Sequence, residues 1–422
     1  MIWAVRTWFN TTFASLRIRN YRLFFIAQVV STNGTWMQRV GQFWLVLHLT
    51  GSGVDLGLTA AFQTIPILLF GTWGGLVADR SDKRILLIGT QAASGLLGLV
   101  LGLLTLTDKV ELWMVYALAA CLGAVNVLDN PARQSFVGEM VGPEYVSNAV
   151  GLNSAVFTSS RVLGPAVAGA VIALVGTGWC FLYNGLSFFA VVAGLLMMRP
   201  KELQQGLPIV RGPGQIMEGL RYTWSRPELR YPVLLMMVLG TFAFNWNIVL
   251  PLMARYAFHS GAATYGALLS MLGVGAFVGA LFAAGRSRPS HRLLVHSALI
   301  LGVLMAAAAV APSALLEMAV LVPVGTAMVT CQTTGNSILQ LNSAREFRGR
   351  VMSLYVTAFL GTTAIGAPAV GWISQQFGGR AGLALGAGAT LAVALAILPT
   401  LGRRKPQGAS GREREVAPTS IL

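Results

Sequence analysis

Gly75-Leu76-Val77-Ala78-Asp79-Arg80-Ser81-Asp82-Lys83-Arg84 is a short basic joint at the end of one long apolar run, 56–78, and the start of another, 85–106. Each run is long enough to cross about 30 Å of hydrocarbon as a helix. Lipid offers no partner to free backbone groups, so such runs must be helical.

The same pattern extends in both directions. Membrane helices are expected at 21–49, 56–78, 85–106, 112–128, 149–174 and 178–198, then at 231–256, 265–284, 293–310, 315–341, 351–377 and 381–401. This predicts an all-α polytopic membrane protein of about twelve transmembrane helices in two pseudo-symmetric six-helix bundles. The division is a cytoplasmic N-terminal segment (1–20), a first bundle (21–198), a linker (199–230), a second bundle (231–401) and a polar, disordered cytoplasmic tail (402–422). In the linker, Gly206-Leu207-Pro208 and Gly212-Pro213-Gly214 break any helix. After them 215–225 reads as an amphipathic helix on the membrane surface, with Ile216, Leu220 and Trp224 on one face.

Charge placement supports this map. Of the 30 lysines and arginines, Lys109, Arg255 and Arg380 fall on one side of the membrane, and Arg39 and Arg161 within it. All the others fall on the opposite side. The bias toward basic cytoplasmic loops places both termini in the cytoplasm, in a multi-pass protein of the cytoplasmic (inner) membrane. It also accounts for the net charge of +15 without nucleic acid. Only 11% of the 422 residues are charged and 55% are hydrophobic, whereas a soluble domain carries about 25% charged residues. Cys121, Cys180 and Cys331 fall in apolar runs without metal-ligand spacing and read as small core residues. No GxxxxGK[ST], HExxH or GxSxG pattern occurs, so an ATP-driven pump or a hydrolase has no visible machinery, and no metal or cofactor is expected.

The two halves echo each other. Gly164-Pro165 with Gly169 is matched by Gly366-Ala367-Pro368 with Gly371, and the stretch 75–84 by 283–292. Duplicated bundles can rock about a site at their interface.

At these residues the chain resembles the major facilitator superfamily. The joint matches its glycine, three residues, Asp-Arg and a basic pair, and departs at Asp82, where the family usually has glycine. Arg161-Val162-Leu163-Gly164-Pro165 is similar to the Gly-Pro motif of its exporters. Asn20-Tyr21-Arg22-Leu23-Phe24, Gly34-Thr35-Trp36-Met37-Gln38, Asn130-Pro131-Ala132-Arg133-Gln134-Ser135-Phe136, Leu250-Pro251-Leu252-Met253-Ala254-Arg255 and Arg348-Gly349-Arg350-Val351-Met352-Ser353-Leu354-Tyr355 resemble the branch containing the enterobactin exporter and macrolide efflux proteins. The resemblance implies an antiporter, a monomer in the bilayer, exporting a small molecule such as a siderophore, drug or secondary metabolite in exchange for protons. An importer or uniporter on the same fold is the alternative.

Candidate residues fall into two sets. For the substrate they are Gln28, Thr32, Thr35, Arg39 and Gln42, spaced along one face of the first helix, together with Gln38. Thr330, Thr333 and Ser337 on the tenth helix, and Thr241 and Asn245 on the seventh, join them. Such stripes either line a cavity or hydrogen-bond between helices. The superfamily's first, fourth, seventh and tenth helices line its cavity. For gating the set is Gly75, Asp79, Arg80, Lys83, Arg84, Asp129, Arg161, Gly164 and Pro165. Asp79 is expected to meet the positive end of the eleventh helix, and Lys83 and Arg84 to pair with Asp129, latching the cytoplasmic side. Arg161 either gates or bonds to carbonyls freed by Pro165. All Asp and Glu residues are placed in loops, tails or near helix ends, so a neutral or anionic substrate suits Arg39 better than a lipophilic cation.

Overall fold

The computed structural model describes residues 11–204, 215–285 and 289–402. The glycine-proline breaks of the linker, the side chain of Ile216, Arg286, Arg288 and the tail beyond 402 lie outside the described residues.

The first bundle comprises α1 (Arg19–Thr50), α2 (Gly53–Arg80), α3 (Lys83–Leu106), α4 and α5 within Leu112–Val175, and α6 (Gly178–Leu196). The linker helix α7 is Gln215–Ser225. The second bundle comprises α8 (Pro227–Ala257), α9 (Ala262–Ala284), α10 (His291–Ala309), α11 (Ala314–Asn342), α12 (Arg348–Phe377) and α13 (Gly379–Gly402). Ten helices among the described residues are long and apolar enough to cross a membrane. One of these is the pair α4 and α5, which meet at Gly142 (φ 71°), and α1, diluted by its polar stripe, adds a further crossing of 32 residues.

Local chemistry sets the ends. Gly51 closes α1 in the left-handed conformation, its N–H donating to the Leu47 carbonyl. Ser52 caps α2, and Asp82 caps α3 by accepting from the Ile85 N–H at 3.1 Å. The aspartate that departs from the family's glycine is thus a helix cap. Leu174, Leu103, Ile365 and Phe377 are among the large apolar side chains exposed on the outside, where lipid would cover them.

The fourth helix differs from expectation. It does not stop at 128 but runs through Asp129-Asn130-Pro131 to Gly142. Within the polar run that resembles a loop, Asp129 is buried, while Asn130, Arg133 and Gln134 face a cavity.

The bundles meet by helix crossings packed on small residues. A Cβ at Gly57 of α2 would sit 2.5 Å from the Ala367 oxygen of α12, and one at Gly53 2.5 Å from the Gly371 oxygen. On the other flank, α5 crosses α9, where a Cβ at Gly273 would lie 2.7 Å from the Arg161 oxygen. The Ser270 hydroxyl donates to the Val162 carbonyl at 2.7 Å there. These crossings lie in the half remote from the basic loops. That end is sealed by one apolar cluster drawn from both bundles, including Phe43, Leu47 and Leu56 with Ile248, Leu252 and Ala367. By contrast, the cluster around Tyr21, Phe136 and Leu195 at the basic end belongs to the first bundle alone.

The second bundle carries π-helical turns at Leu239–Ala243 and Met253–Ala257 of α8 and Thr357–Gly361 of α12. The first and last of these touch. Phe244 and Phe359 pack edge to face at 5.2 Å, and Thr363 donates to the Gly240 carbonyl at 3.1 Å. Linker helix α7 docks on the α11–α12 connection: Tyr222 stacks on Phe347 at 4.2 Å, and Arg350 pairs with Glu218. Its other face, with Leu220 and Trp224, is exposed. Cys180 and Cys331 are buried, but Cys121 is exposed, which corrects its reading as a core residue.

Candidate functional site

The polar stripe of α1 divides between two cavities. The larger, about 690 Å³, lies on the basic half and is lined by α1, α4 and α5. Gln28 and Thr32 open into it beside Asn130, Arg133, Gln134 and Asn153. The Nε2 of Gln28 is buried there with no partner among the described residues. Phe24 and Phe157 supply its apolar surface. The smaller cavity, about 70 Å³, is enclosed within the first bundle and is lined by Thr35, Gln38, Arg39 and Gln42 together with Gln91, Asn126, Asp129 and Asn184. Arg133 borders both.

Gln38 is turned into the bundle and accepts a hydrogen bond from Asn184 at 2.7 Å, so in this state it braces α1 against α6 rather than facing the larger cavity. Gln42 is also buried. The Thr35 hydroxyl donates to the Ser31 carbonyl of its own helix.

Asp129 requires the main correction. It is not at the inner end of α4 and does not meet Lys83 or Arg84. Its carboxylate is buried, accepting from Thr90 at 2.8 Å and Gln91 at 2.7 Å and pairing with Arg133 at 3.1 Å. Because α4 continues past it, Glu139 reaches the basic end and takes Lys83 at 2.6 Å. Arg84 donates instead to the Leu195 and Leu196 carbonyls at the end of α6. The basic pair therefore ties the first bundle together and does not bridge to the second. A carboxylate stands buried in the bundle, contrary to the sequence expectation, with its partner Arg133 partly exposed at the cavity wall. Glu317, at the start of α11, is also fully buried, and neither of its oxygens has a hydrogen-bond partner among the described residues.

Gly75 and Asp79 occupy the last turns of α2 and Arg80 its exposed end. The first turns of α12 are engaged by α7, and the tightest approaches of α2 to α12 are at the sealed half. Pro165 lies on the interface between the bundles, and Gly164 packs on α1 within the first bundle. Gly164 receives Trp36, whose Cβ a methyl group there would meet at 2.5 Å, and the Pro165 carbonyl packs on Gly266.

Among the second bundle's residues, Thr241 donates to the Met237 carbonyl and Asn245 to the Thr241 carbonyl. Thr330 and Thr333 donate to Thr326 and Val329, and Ser337 is half-buried. They line neither of the two cavities above. The three threonine hydroxyls satisfy themselves within their own helices, and the Asn245 Oδ1 is buried without a partner among the described residues. Asn130, Gln134, Asn153 and Phe157 were missed by the stripe argument. For Asn130 and Gln134 the signal is two polar residues at helical spacing in a stretch that resembles a loop, and Asn153 and Phe157 stand at the same spacing within the helix expected at 149–174.

Arg39 and Arg161 come together. The Arg39 guanidinium lies over the Trp36 ring at 4.9 Å and the Arg161 guanidinium at 5.9 Å. Among the described residues neither makes an ion pair or a hydrogen bond. The expectation that Arg161 bonds to freed carbonyls therefore fails: the carbonyl released by Pro165 is that of Arg161 itself, and it faces Gly273. An arginine at the centre of a membrane helix costs about 2.5–3.5 kcal/mol on insertion scales. One cation–π contact returns about 0.5–2 kcal/mol.

Two duplicated bundles, a cavity of mixed polar and apolar lining on the basic half and an apolar seal at the opposite end fit a membrane transporter of the major facilitator class. Residues 10–412 match the family described as transmembrane secretion effector, and the chain belongs to it. It is similar to the staphyloferrin A transporter of Staphylococcus aureus, 24% identical over 62% of this chain and 66% of that protein. It is similar to the multidrug efflux pump Tap of Mycolicibacterium fortuitum, 26% identical over 79% of this chain and 83% of Tap. The match to the MFS-type transporter YfiS of Bacillus subtilis spans 41% of that protein, so the first two curated relatives are matched over less than two thirds of their length. Among solved structures, a bacterial homolog of the lysosomal transporter Spinster, inward-facing and unoccupied, superposes with a TM-score of 0.69 at 14% identity, covering 91% of this chain and 96% of that one. A peptide transporter POT in complex with sulfate gives 0.71 at 15% identity, covering 91% and 95%.

Proposed function

We propose that the protein is a secondary active exporter of small organic molecules, working by alternating access in the cytoplasmic membrane with protons as the coupling ion. The basic end and both termini face the cytoplasm, which makes the present arrangement the inward-open one. The observation that carries this reading is the 690 Å³ cavity on the basic half, set against the apolar seal shared by both bundles at the other end. The relative named for multidrug efflux supports export over import. Asp79, Lys83 and Arg84 act as the cytoplasmic latch when the bundles close at that end, which requires Lys83 to leave Glu139 and Arg84 to leave the α6 carbonyls. A proton crossing the membrane supplies about 2.3 kcal/mol per 100 mV, enough to drive accumulation.

The test is uptake into inverted membrane vesicles of a siderophore, a macrolide and a lipophilic dye, with and without a proton gradient. Gradient-dependent accumulation above that of vesicles lacking the protein is expected for at least one. Gradient-independent equilibration would make it a uniporter, and gradient-driven depletion an importer.

A further inference from the structure

We propose that Arg39 and Arg161, converging on Trp36 without an acidic partner, form a two-point anion site, and that the molecule carried is an organic anion bearing two negative groups, such as a dicarboxylate. The word "carried" rests on the exporter reading; the site itself does not.

The two guanidiniums come from different helices, α1 and α5, and share one indole, so they can be no farther apart than their two distances to it, 4.9 Å and 5.9 Å, laid end to end. Like charges this close in a poorly solvated region repel, and nothing among the described residues neutralises them. No Asp or Glu lies on α1, on α9, or on α5 beyond Glu144 at its basic end. The nearest deep carboxylate in the bundle, Asp129, is already held by Thr90, Gln91 and Arg133. A fixed pair of planar five-donor forks without an internal anion is a receptor for an external one.

The position suits the cavity. Phe157 both lines the larger cavity and meets Trp36 edge to face at 5.9 Å. Thr32 and Thr158, one turn before Trp36 and Arg161, line the same cavity. The arginines therefore stand just beyond its lining, toward the sealed end. A ligand entering from the basic end would lay its apolar body against Phe157 and Phe24 and direct its anionic groups inward. Both arginines keep some exposed surface, while the packing around them strips most of their hydration.

The experiment is calorimetric titration of the purified full chain in detergent with benzene-1,3-dicarboxylate, benzoate and tetraphenylphosphonium. The dicarboxylate is expected to bind at least about tenfold more tightly than benzoate, and the cation more weakly than either. Arg39→Gln and Arg161→Gln should each weaken the dicarboxylate by about ten- to a hundredfold and bring it to the benzoate level. Arg161→Lys, which keeps the charge and serves if the glutamine variant fails to fold, should recover only part of the loss. The proposal is overturned if the dicarboxylate binds no better than benzoate, fails to bind, ranks below the cation, or keeps its advantage in the folded variants. Failure here alongside gradient-driven vesicle uptake of a cation removes the anion site and leaves the exporter. Binding here without any gradient-dependent uptake does the reverse.

Discussion

Lys83 at the start of α3 forms an ion pair of 2.6 Å with Glu139 near the end of α4, and both side chains are almost buried. Removing one partner of such a pair strands the other. Glu139→Ala is expected to destabilise the protein by about 3 kcal/mol, and Lys83→Ala/Glu139→Ala by less than either single change. Thermal unfolding of the detergent-solubilised protein checks this: additive losses would mean that the pair is not energetically coupled.

Asp129 holds three groups at once. Asp129→Asn keeps the acceptor for Thr90 and Gln91 but turns an amide NH2 toward Arg133, losing both the charge and the acceptor there, whereas Asp129→Ala removes the acceptor from all three. The alanine variant should be less stable than the asparagine variant by about 1–3 kcal/mol. Equal unfolding midpoints for the two would show that the hydrogen bonds contribute nothing.

Gly57 has no room for a side chain while α2 and α12 are in contact, because a Cβ would lie 2.5 Å from the Ala367 oxygen and 2.6 Å from the Pro368 Cα. Gly57→Leu should disfavour the sealed state. Transport is expected to fall more than about tenfold at normal folded yield, since preventing one of two alternating states stops the cycle. A cysteine placed at Gln375, which now bonds to Ser52 at 2.9 Å, should label faster with an impermeant thiol reagent in that background. Unchanged labelling together with unchanged transport would mean that this crossing does not open.

Arg255 of α8 donates to the Leu47 carbonyl of α1 at 2.6 Å, and Tyr256 to the Gly51 carbonyl at 2.9 Å, both across the bundle interface. A hydrogen bond from a charged group contributes about 1.5–3 kcal/mol, so Arg255→Ala should shift the balance between the two open states by roughly ten- to a hundredfold. Spin-label distances across the sealed end should lengthen in the variant; an unaltered distribution would assign the seal to apolar packing alone.

The orientation has its own check. Reporter fusions at Lys405 and Lys109 are expected to report opposite sides of the membrane. The same side at both would require a different number of crossings.

Much of this was legible in the sequence, because in lipid the covalent pattern nearly dictates the fold. Apolar length marks the helices, and the placement of arginine and lysine separates the loops of one side from those of the other. The failure at α4 shows the limit. Asp129-Asn130-Pro131-Ala132-Arg133-Gln134 is polar enough to end a helix in lipid, but here its partners are Thr90, Gln91 and the cavity, which only tertiary packing supplies. A helix ended at 128 puts Asp129 at its inner end, within reach of Lys83 and Arg84, and leaves Glu139 without a role. The α1 stripe was readable as a face. Periodicity could not tell that Gln38 turns to Asn184 while Gln28 and Thr32 open to the larger cavity, nor that Arg161 on another helix would come to the same indole as Arg39.

The five-residue turns of α8 and α12 give the two halves of the molecule different stiffness. Such turns loosen the axial hydrogen-bond ladder and recur where helices bend at functional sites. Here they lie opposite each other in one bundle, touching at Phe244 and Phe359, while among the described residues the first bundle has no such turn. The first bundle, pinned by Lys83–Glu139 and Gln38–Asn184, acts as the fixed jaw that carries the arginines. The second is the compliant jaw, able to bow at mid-depth and conform to cargo of different girth while the charged end of each molecule is gripped in the same place.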